Sequence, residues 1–347
     1  MSSFAYDQQL ASMPSVIAGV LRKAQAPRLD PARPIVFSGI GTSLHAARVA
    51  AEWVSRLSEG AVRPYAVDAH DLGTVAPITP ADQVVVISHR GYKLFPNESL
   101  RRAHEAGAMT VAIVGEAAPE QPSATHVIRT CRNETAGTFS VSYLASLAVL
   151  AAMAAPFETD PDRPFARALE ATAGDGALAD AVARTLALPL ADGLAGRIAD
   201  AQPLLITGFG GLDLTTAQEA ALKIKEGAWL WTEAMPPEFA LHGTPASYHA
   251  GMGAVVIMPA DDDGGRSALL RDRVLRGLGM KVVATCADGP DADLPFAEPP
   301  HPLLRPFTAI LPFHKLTAEL ARLRGTDPDT LHGHREPWKT IMTGLRL

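Results

Sequence analysis

PIVFSGIGTSLHAARVAAEWVSRL, residues 34–57, is the stretch from which the fold is read. It opens on a short run of β-branched and aromatic residues, turns on Gly39 and Gly41, and passes into a helical repeat of apolar positions. A buried strand that feeds a glycine turn and then a helix N-terminus is the opening unit of a parallel α/β sheet. The same grammar returns at residues 203–230, PLLITGFGGLDLTTAQEAALKIKEGAWL. Two such units predict two sheets in tandem.

Around the first unit, further strands are expected at 63–67, 83–88, 109–114 and 126–129, with helices at 97–106 and 140–155. Around the second, strands are expected at 254–258, 281–285 and 306–310, with a helix at 266–278. This alternation predicts an α/β protein with a doubly wound parallel sheet in each half. The turn-rich segment ETDPDRPF, residues 158–165, and the Ala- and Leu-rich stretch 166–201, read as helical throughout, suggest a linker. The expected division is a helical lead-in over 1–30, a first domain over 31–157, a linker over 158–197, a second domain over 198–324, and a polar tail over 325–347 that is either loose or closed over a site.

The 347 residues are 47% hydrophobic and 20% charged, which supplies material for two cores and argues against extensive disorder. Lys and Arg number 31 against 37 Asp and Glu, and the net charge is −6 with no basic block, so no nucleic-acid partner is expected. Cys131 and Cys286 stand far apart without CxxC spacing, against both a disulfide framework and a structural zinc. The longest apolar stretch, LASLAVLAAMAAPF over 144–157, stops at Pro156 and is short for a bilayer. The N-terminus lacks a signal-peptide core, so neither membrane nor export is expected and the cytoplasm is the default.

Three places could carry chemistry. Gly41, Thr42 and Ser43 lie between strand and helix, where backbone N–H groups and the helix dipole favour an anion; a tight turn with an N-cap would look the same. The third glycine of a dinucleotide fingerprint is missing, since Leu44 stands there. SHRGYK, residues 88–93, follows a strand, and Ser88, His89, Arg90 and Lys93 would suit an anion there, or form a solvated basic turn. On the predicted helix after Gly208, Glu219, Lys223 and Glu226 fall at i, i+4 and i+7 on one face. That face is either a surface ion pair or a carboxylate held beside an ammonium for proton transfer next to a carbonyl. His45, His70 and His89 have no metal-ligand spacing, and no metal or cofactor is expected. His332 and His334 flank a glycine in the tail and could line the site, although solvated turn residues are the preferred reading.

EAALKIKEG, residues 219–227, followed by AMPPEFALHGTPA, residues 234–246, resembles the isomerase domain of glucosamine-6-phosphate synthase, where ALEGALKLKE precedes a loop of the type ExxHGP. Glu226 and His242 are 16 residues apart, as in that family. The turn at 39–43 is similar to the family's CGTS, and DQQLASMP at 7–14 to its lead-in. On these motifs the chain resembles a tandem pair of SIS (sugar isomerase) domains, as in the synthase and the aminosugar-phosphate deaminases and deglycases, which implies two α/β domains, each a doubly wound five-stranded parallel sheet flanked by helices.

The resemblance implies roles. Glu226 would shuttle a proton between C1 and C2 of an open-chain sugar phosphate, with Lys223 assisting. His242 would promote ring opening, its loop reaching the site of a partner in a homodimer. Lys339 is the candidate for the tail lysine that meets the sugar carbonyl, although PRNLAK is not reproduced in EPWK at 336–339. The family's SxSGET phosphate loop corresponds to 88–93, where hydroxyls have become Arg90 and Lys93. Its GVASTK segment corresponds to the stretch from Gly137, with Phe139 in a Ser position and the Lys absent. A phosphate held differently, or another acidic sugar, is therefore expected. No glutaminase domain is expected, which leaves aldose–ketose isomerisation or aminosugar-phosphate deamination. The alternative is a non-catalytic sugar-phosphate-binding regulatory protein.

Overall fold

The computed structural model describes residues 4–174, 176–287, 292–331 and 333–345. In chain order, helix α1 (Ala5–Lys23) precedes β1 (Ile35–Gly39), α2 (Thr42–Leu57), β2 (Tyr65–Asp68), α3 (Ala69–Thr74), β3 (Gln83–Ile87), α4 (Leu94–Glu105), β4 (Met109–Val114), β5 (His126–Arg129) and α5 (Val141–Ala154). Then follow α6 (Pro164–Gly174), α7 (Ala177–Ala187), α8 (Leu194–Ile198), β6 (Leu204–Thr207), α9 (Gly210–Ala228), β7 (Thr232–Met235), α10 (Pro237–Leu241), β8 (Gly253–Ile257), α11 (Arg266–Leu269), β9 (Lys281–Ala287), β10 (Leu294–Phe296), α12 (Pro306–Ala309), α13 (Leu311–Arg324) and α14 (Trp338–Met342).

The chain divides into two compact units. One, here the turn unit, is built from Ser12–Glu134, Phe139–Ala179 and His332–Leu347. Its sheet has strand order β2-β1-β3-β4-β5, every neighbour parallel. All five residues of β1 and of β3 are buried, so these strands read as continuous apolar runs, as central parallel strands do. Val36, Val84, Val86 and Val114 pack with Leu72 of α3 and Leu100 of α4. Helix α5 is buried nearly all round, from Val141 to Ala154, which leaves its sequence without a polar stripe. Trp53 of α2, fully buried, sits 6.0 Å from the Phe165 ring. A buried aromatic of this kind contributes about 1.5–3 kcal/mol.

The other, the helix-face unit, is built from Met1–Ala11, Thr135–Thr138 and Asp180–Leu331. Its sheet runs β10-β9-β8-β6-β7, again parallel throughout. Leu205, Ala254 and Val256 form its core with Leu270, Leu275 and Met280. In both sheets the chain leaves one central strand in each direction, between β1 and β3 in the first and between β6 and β8 in the second. Such a reversal point opens a crevice at the carboxyl ends of the strands. The repeated glycine turns have the same cause. A Cβ on Gly39 would lie 2.5 Å from the backbone carbon of Ser43, and one on Gly208 would lie 2.2 Å from the Asp213 carbonyl oxygen. Only glycine lets each helix start so close under its strand.

Several sequence expectations are corrected. Residues 306–310 are not a strand: Pro306–Ala309 is α12, running into α13. The apolar run is buried on all sides, so periodicity does not separate helix from strand, and Pro306 suits a first helical turn, where its missing N–H is not needed. The edge strands of that sheet are β7 and β10, too short for a pattern to show. The stretch 166–201 is not helical throughout; it breaks into α6, α7 and α8, with Gly174 and Gly176 at the first break and Pro189 and Gly193 at the second. The helix expected over 266–278 is one α turn followed by a wider π-helical stretch, Leu270–Leu275. Among the described residues no helix is long and apolar enough to cross a membrane.

Candidate active site

In the turn unit the β1 turn places Gly41 at φ 56°, and α2 begins at Thr42. Ser43 donates its backbone N–H to the Ile40 carbonyl at 3.1 Å. The loop after β3 is fastened to the end of β4, with Ser88 N–H donating to the Ile113 carbonyl and Gly115 N–H to the His89 carbonyl, at 2.9 and 2.8 Å. Ser88 and His89 are both buried. Thr42, Ser43, His89, Phe139, Ser142 and Tyr143 line a narrow crevice of about 20 Å³. The His89 ring meets Phe139 edge-on at 5.8 Å.

The cations of the 88–93 loop go elsewhere. Arg90 lies over the Phe139 ring, 5.2 Å from its centre, and donates to the Tyr92 hydroxyl at 3.0 Å. Lys93 lines a separate cavity of about 630 Å³ with Tyr92, Asn97, Arg101 and Gln121. The start of α5 carries an anion of its own. Glu134 accepts the backbone N–H groups of Ser140, Val141 and Ser142 at 2.8–3.2 Å, together with the Ser140 hydroxyl at 3.0 Å. Sequence reasoning passed over Glu134, because nothing at 134 distinguishes a capping carboxylate that acts six residues ahead.

In the helix-face unit, α9 carries the acid–base cluster. Lys223 Nζ lies 2.6 Å from Glu226 Oε2 and 3.5 Å from Glu219 Oε1. The side chains of Lys223 and Glu219 are 0% exposed, whereas that of Glu226 is 29% exposed. A buried ammonium between two carboxylates is not the solvated surface pair of a simple amphipathic helix. Beside it stands His314 of α13, fully buried, whose Nδ1 is 2.6 Å from the Tyr6 hydroxyl. Burial, then the Lys223 charge, push the His314 pKa down to about 3, with Glu219 opposing. Tyr6 is held by Asp329, which accepts the N–H groups of Ala5 and Tyr6 at 2.7 and 2.8 Å. Tyr6 and His314 are 308 residues apart, a pairing with no sequence signal.

The remaining predicted residues fall as follows. Gly137 belongs to the helix-face unit, its N–H donating to the Asp329 carbonyl at 2.7 Å, whereas Phe139 belongs to the turn unit. His242 is 78% exposed and lies 3.0 Å from Glu238 Oε2. Glu238 also meets Arg266, whose hydrogen bond holds its carboxyl below the usual carboxylate range. Lys339 is exposed on α14 in the turn unit. His332 lies outside the described residues, and His334 is exposed. Among the described residues no three His, Cys, Asp or Glu side chains gather where they could hold a metal ion.

The chain is thus an α/β protein of two parallel five-stranded sheets, with a strand–turn–helix crevice in one unit and a buried Lys–Glu pair in the other. Residues 28–156 match the SIS domain family, and this stretch of the chain is a SIS domain. The chain is 29% identical over 322 residues to the isomerising glutamine–fructose-6-phosphate aminotransferase of Acidithiobacillus ferridurans, covering 85% of this chain and 50% of that protein. It thus spans about half the length of the curated relatives it matches. Among solved structures, the C-terminal domain of glucosamine-fructose-6-phosphate aminotransferase from Francisella tularensis superposes with a TM-score of 0.76 at 20% identity, over 94% of this chain and 98% of that one. Glucosamine-6-phosphate deaminase from Thermotoga maritima gives 0.71 at 15% identity, over 94% and 97%.

Proposed function

We propose that this chain is a cytoplasmic enzyme of two doubly wound SIS-type domains that moves a proton between C1 and C2 of an open-chain sugar. The reaction is aldose–ketose isomerisation of a sugar phosphate or deamination of its amino counterpart. The observation that carries the reading is the Glu226 carboxylate, partly open to solvent and 2.6 Å from a fully buried ammonium. In the isomerisation, the carboxylate takes the proton from C2 of the aldose while O1 takes one up from solvent, which leaves an enediol. The proton, open to exchange with solvent while it sits on the carboxyl group, is delivered to C1 as O2 loses its own, and the ketose forms. In the deamination, the aminosugar becomes a ketose imine, which takes up water and releases ammonia. Lys223 donates to the carboxylate and holds it in place. A general base so positioned contributes about 10²–10⁴ in rate.

The names of the relatives support a fructose-phosphate or glucosamine-phosphate class of substrate. Arg90, a cation where a hydroxyl is expected, is the group we assign to the acidic end. Lys339 is the proposed partner of the sugar carbonyl. His242, exposed in its own chain, is proposed to assist ring opening for a second copy in a homodimer.

Deuterium exchange from solvent into C2 of glucose 6-phosphate and glucosamine 6-phosphate, and into C1 of fructose 6-phosphate, tests the reading. The wild type should introduce label and Glu226→Gln should lose it by about 10²–10⁴, with binding retained. Binding without exchange in the wild type identifies a sensor instead.

A further inference from the structure

We infer that Gln121 is a positioning residue for the acidic end of the substrate: its side-chain amide holds the turn at residues 88–91, and through it the direction of Arg90. This rests on the assignment of Arg90 above and deepens it by naming what fixes the arginine.

The turn is tied at three points. Before the corner, Ser88 N–H donates to the Ile113 carbonyl, and Gly91 N–H closes the turn on the Ser88 carbonyl, both at 2.9 Å. At the corner, the His89 carbonyl accepts from Gly115 N–H at 2.8 Å. Beyond it, the Gly91 carbonyl accepts from Gln121 Nε2 at 2.8 Å. The earlier ties run from backbone to backbone. The last is made by a side chain that is 8% exposed.

Gln121 has one way to sit. Its Nε2 also donates to the Pro119 carbonyl at 3.0 Å, so two acceptors face the amide and its NH₂ end is the one that suits them. The segment carrying it is fastened in turn, because Arg129 donates to the carbonyls of Gly115, Glu116 and Ala118 at 2.7–3.3 Å. Gly91 stands at φ 67°, and a Cβ there would lie 2.7 Å from Ala118 Cβ and 3.0 Å from Gln121 Nε2. Glycine lets the amide approach.

From the gripped carbonyl the chain runs directly into Tyr92. The Tyr92 hydroxyl accepts from Arg90 at 3.0 Å, while the guanidinium lies 5.2 Å from the centre of the Phe139 ring. A long cationic side chain otherwise loses much rotamer freedom when it meets a ligand. Arg90 is held beforehand by Tyr92, and Tyr92 leaves the backbone at the peptide that Gln121 fixes.

Gln121→Met keeps the length of the side chain and removes both donors. Hydrogen–deuterium exchange of the unliganded chain should show the amides of the 88–93 peptide opening about tenfold faster, with the rest of the first sheet unchanged. Calorimetry should show glucose 6-phosphate binding about tenfold weaker, the worth of about one hydrogen bond. Exchange into C2 at saturating glucose 6-phosphate should stay within about twofold of the wild type, because Glu226 is untouched. Gly91→Ala, which pushes the same amide away, should give the same pattern and serves if Gln121→Met does not melt cooperatively. An unchanged 88–93 peptide or an unchanged affinity overturns the inference, as does a tenfold fall in the saturated rate. Arg90→Ala is measured alongside. If it binds glucose 6-phosphate as the wild type does, the reading of Arg90 fails, while faster exchange in Gln121→Met leaves the hold of Gln121 on the turn standing.

Discussion

The Lys223 ammonium lies 2.6 Å from the Glu226 carboxylate, with the lysine wholly withdrawn from solvent and the glutamate open along one side. The pair is therefore asymmetric. Lys223 is held by protein on all sides, and Glu226 is the member a small molecule can reach. Glu219, also fully buried and 3.5 Å from the same ammonium, balances the charge from behind.

Lys223→Met is expected to destabilise the chain by about 3–5 kcal/mol, because it leaves the charge of Glu219 buried without its ammonium. Adding Glu219→Met should restore much of that loss, since a buried pair replaced by apolar groups of similar size is often neutral. Urea midpoints of the single and double variants check this. A double variant no more stable than the single one would show that Glu219 does not depend on Lys223.

His314 makes stability acid-sensitive. Its folded pKa of about 3 lies below the unfolded histidine value, so the unfolded chain binds the extra proton first. The stabilisation is complete above about pH 6.5 and is lost as the pH falls toward 3, by up to about 1.4 kcal/mol per pH unit. His314→Asn keeps an acceptor for the Tyr6 hydroxyl but cannot titrate. Its unfolding free energy should fall less steeply than that of the wild type between pH 6.5 and about 4.5.

Gly227 sits where α9 meets α13. A Cβ there would lie 2.5 Å from Thr317 Cγ2 and 3.3 Å from Pro328 Cβ. Gly227→Ala, although favourable for an isolated helix, is expected to cost about 1–3 kcal/mol by overpacking. A pairing with Thr317→Ser, which removes the obstructing methyl, should recover most of it in thermal unfolding.

Burial pushes the Cys131 thiol up to about 12. Only the thiolate is alkylated, so iodoacetamide near pH 8 should leave Cys131 unmodified in the native chain and label it fully in urea. Peptide mass spectrometry distinguishes the two, and equal labelling in both conditions would contradict its burial.

Much of the fold was legible because its signals are local. The run at 34–57 and its echo at 203–230 announced strand, glycine turn and helix. Spacing alone put Glu219, Lys223 and Glu226 on one face of a helix, since 3.6 residues per turn is a property of the backbone and not of its surroundings. Whether that face met water or protein was not in the spacing. Packing of α13 on α9 decided it, and turned what could have been a surface ion pair into a buried one.

What the tertiary structure alone decided lies between distant residues. Tyr6 meets His314, Glu134 caps α5, and His89 and Phe139 together narrow the crevice that the turn at Gly41–Ser43 suggested as an open anion site. The run around Pro306 became a helix, because an apolar segment buried on every side carries no period. Local sequence determines which conformations a segment favours. Burial, crevice volume and the identity of a neighbour depend on contacts that exist only once the chain has closed on itself.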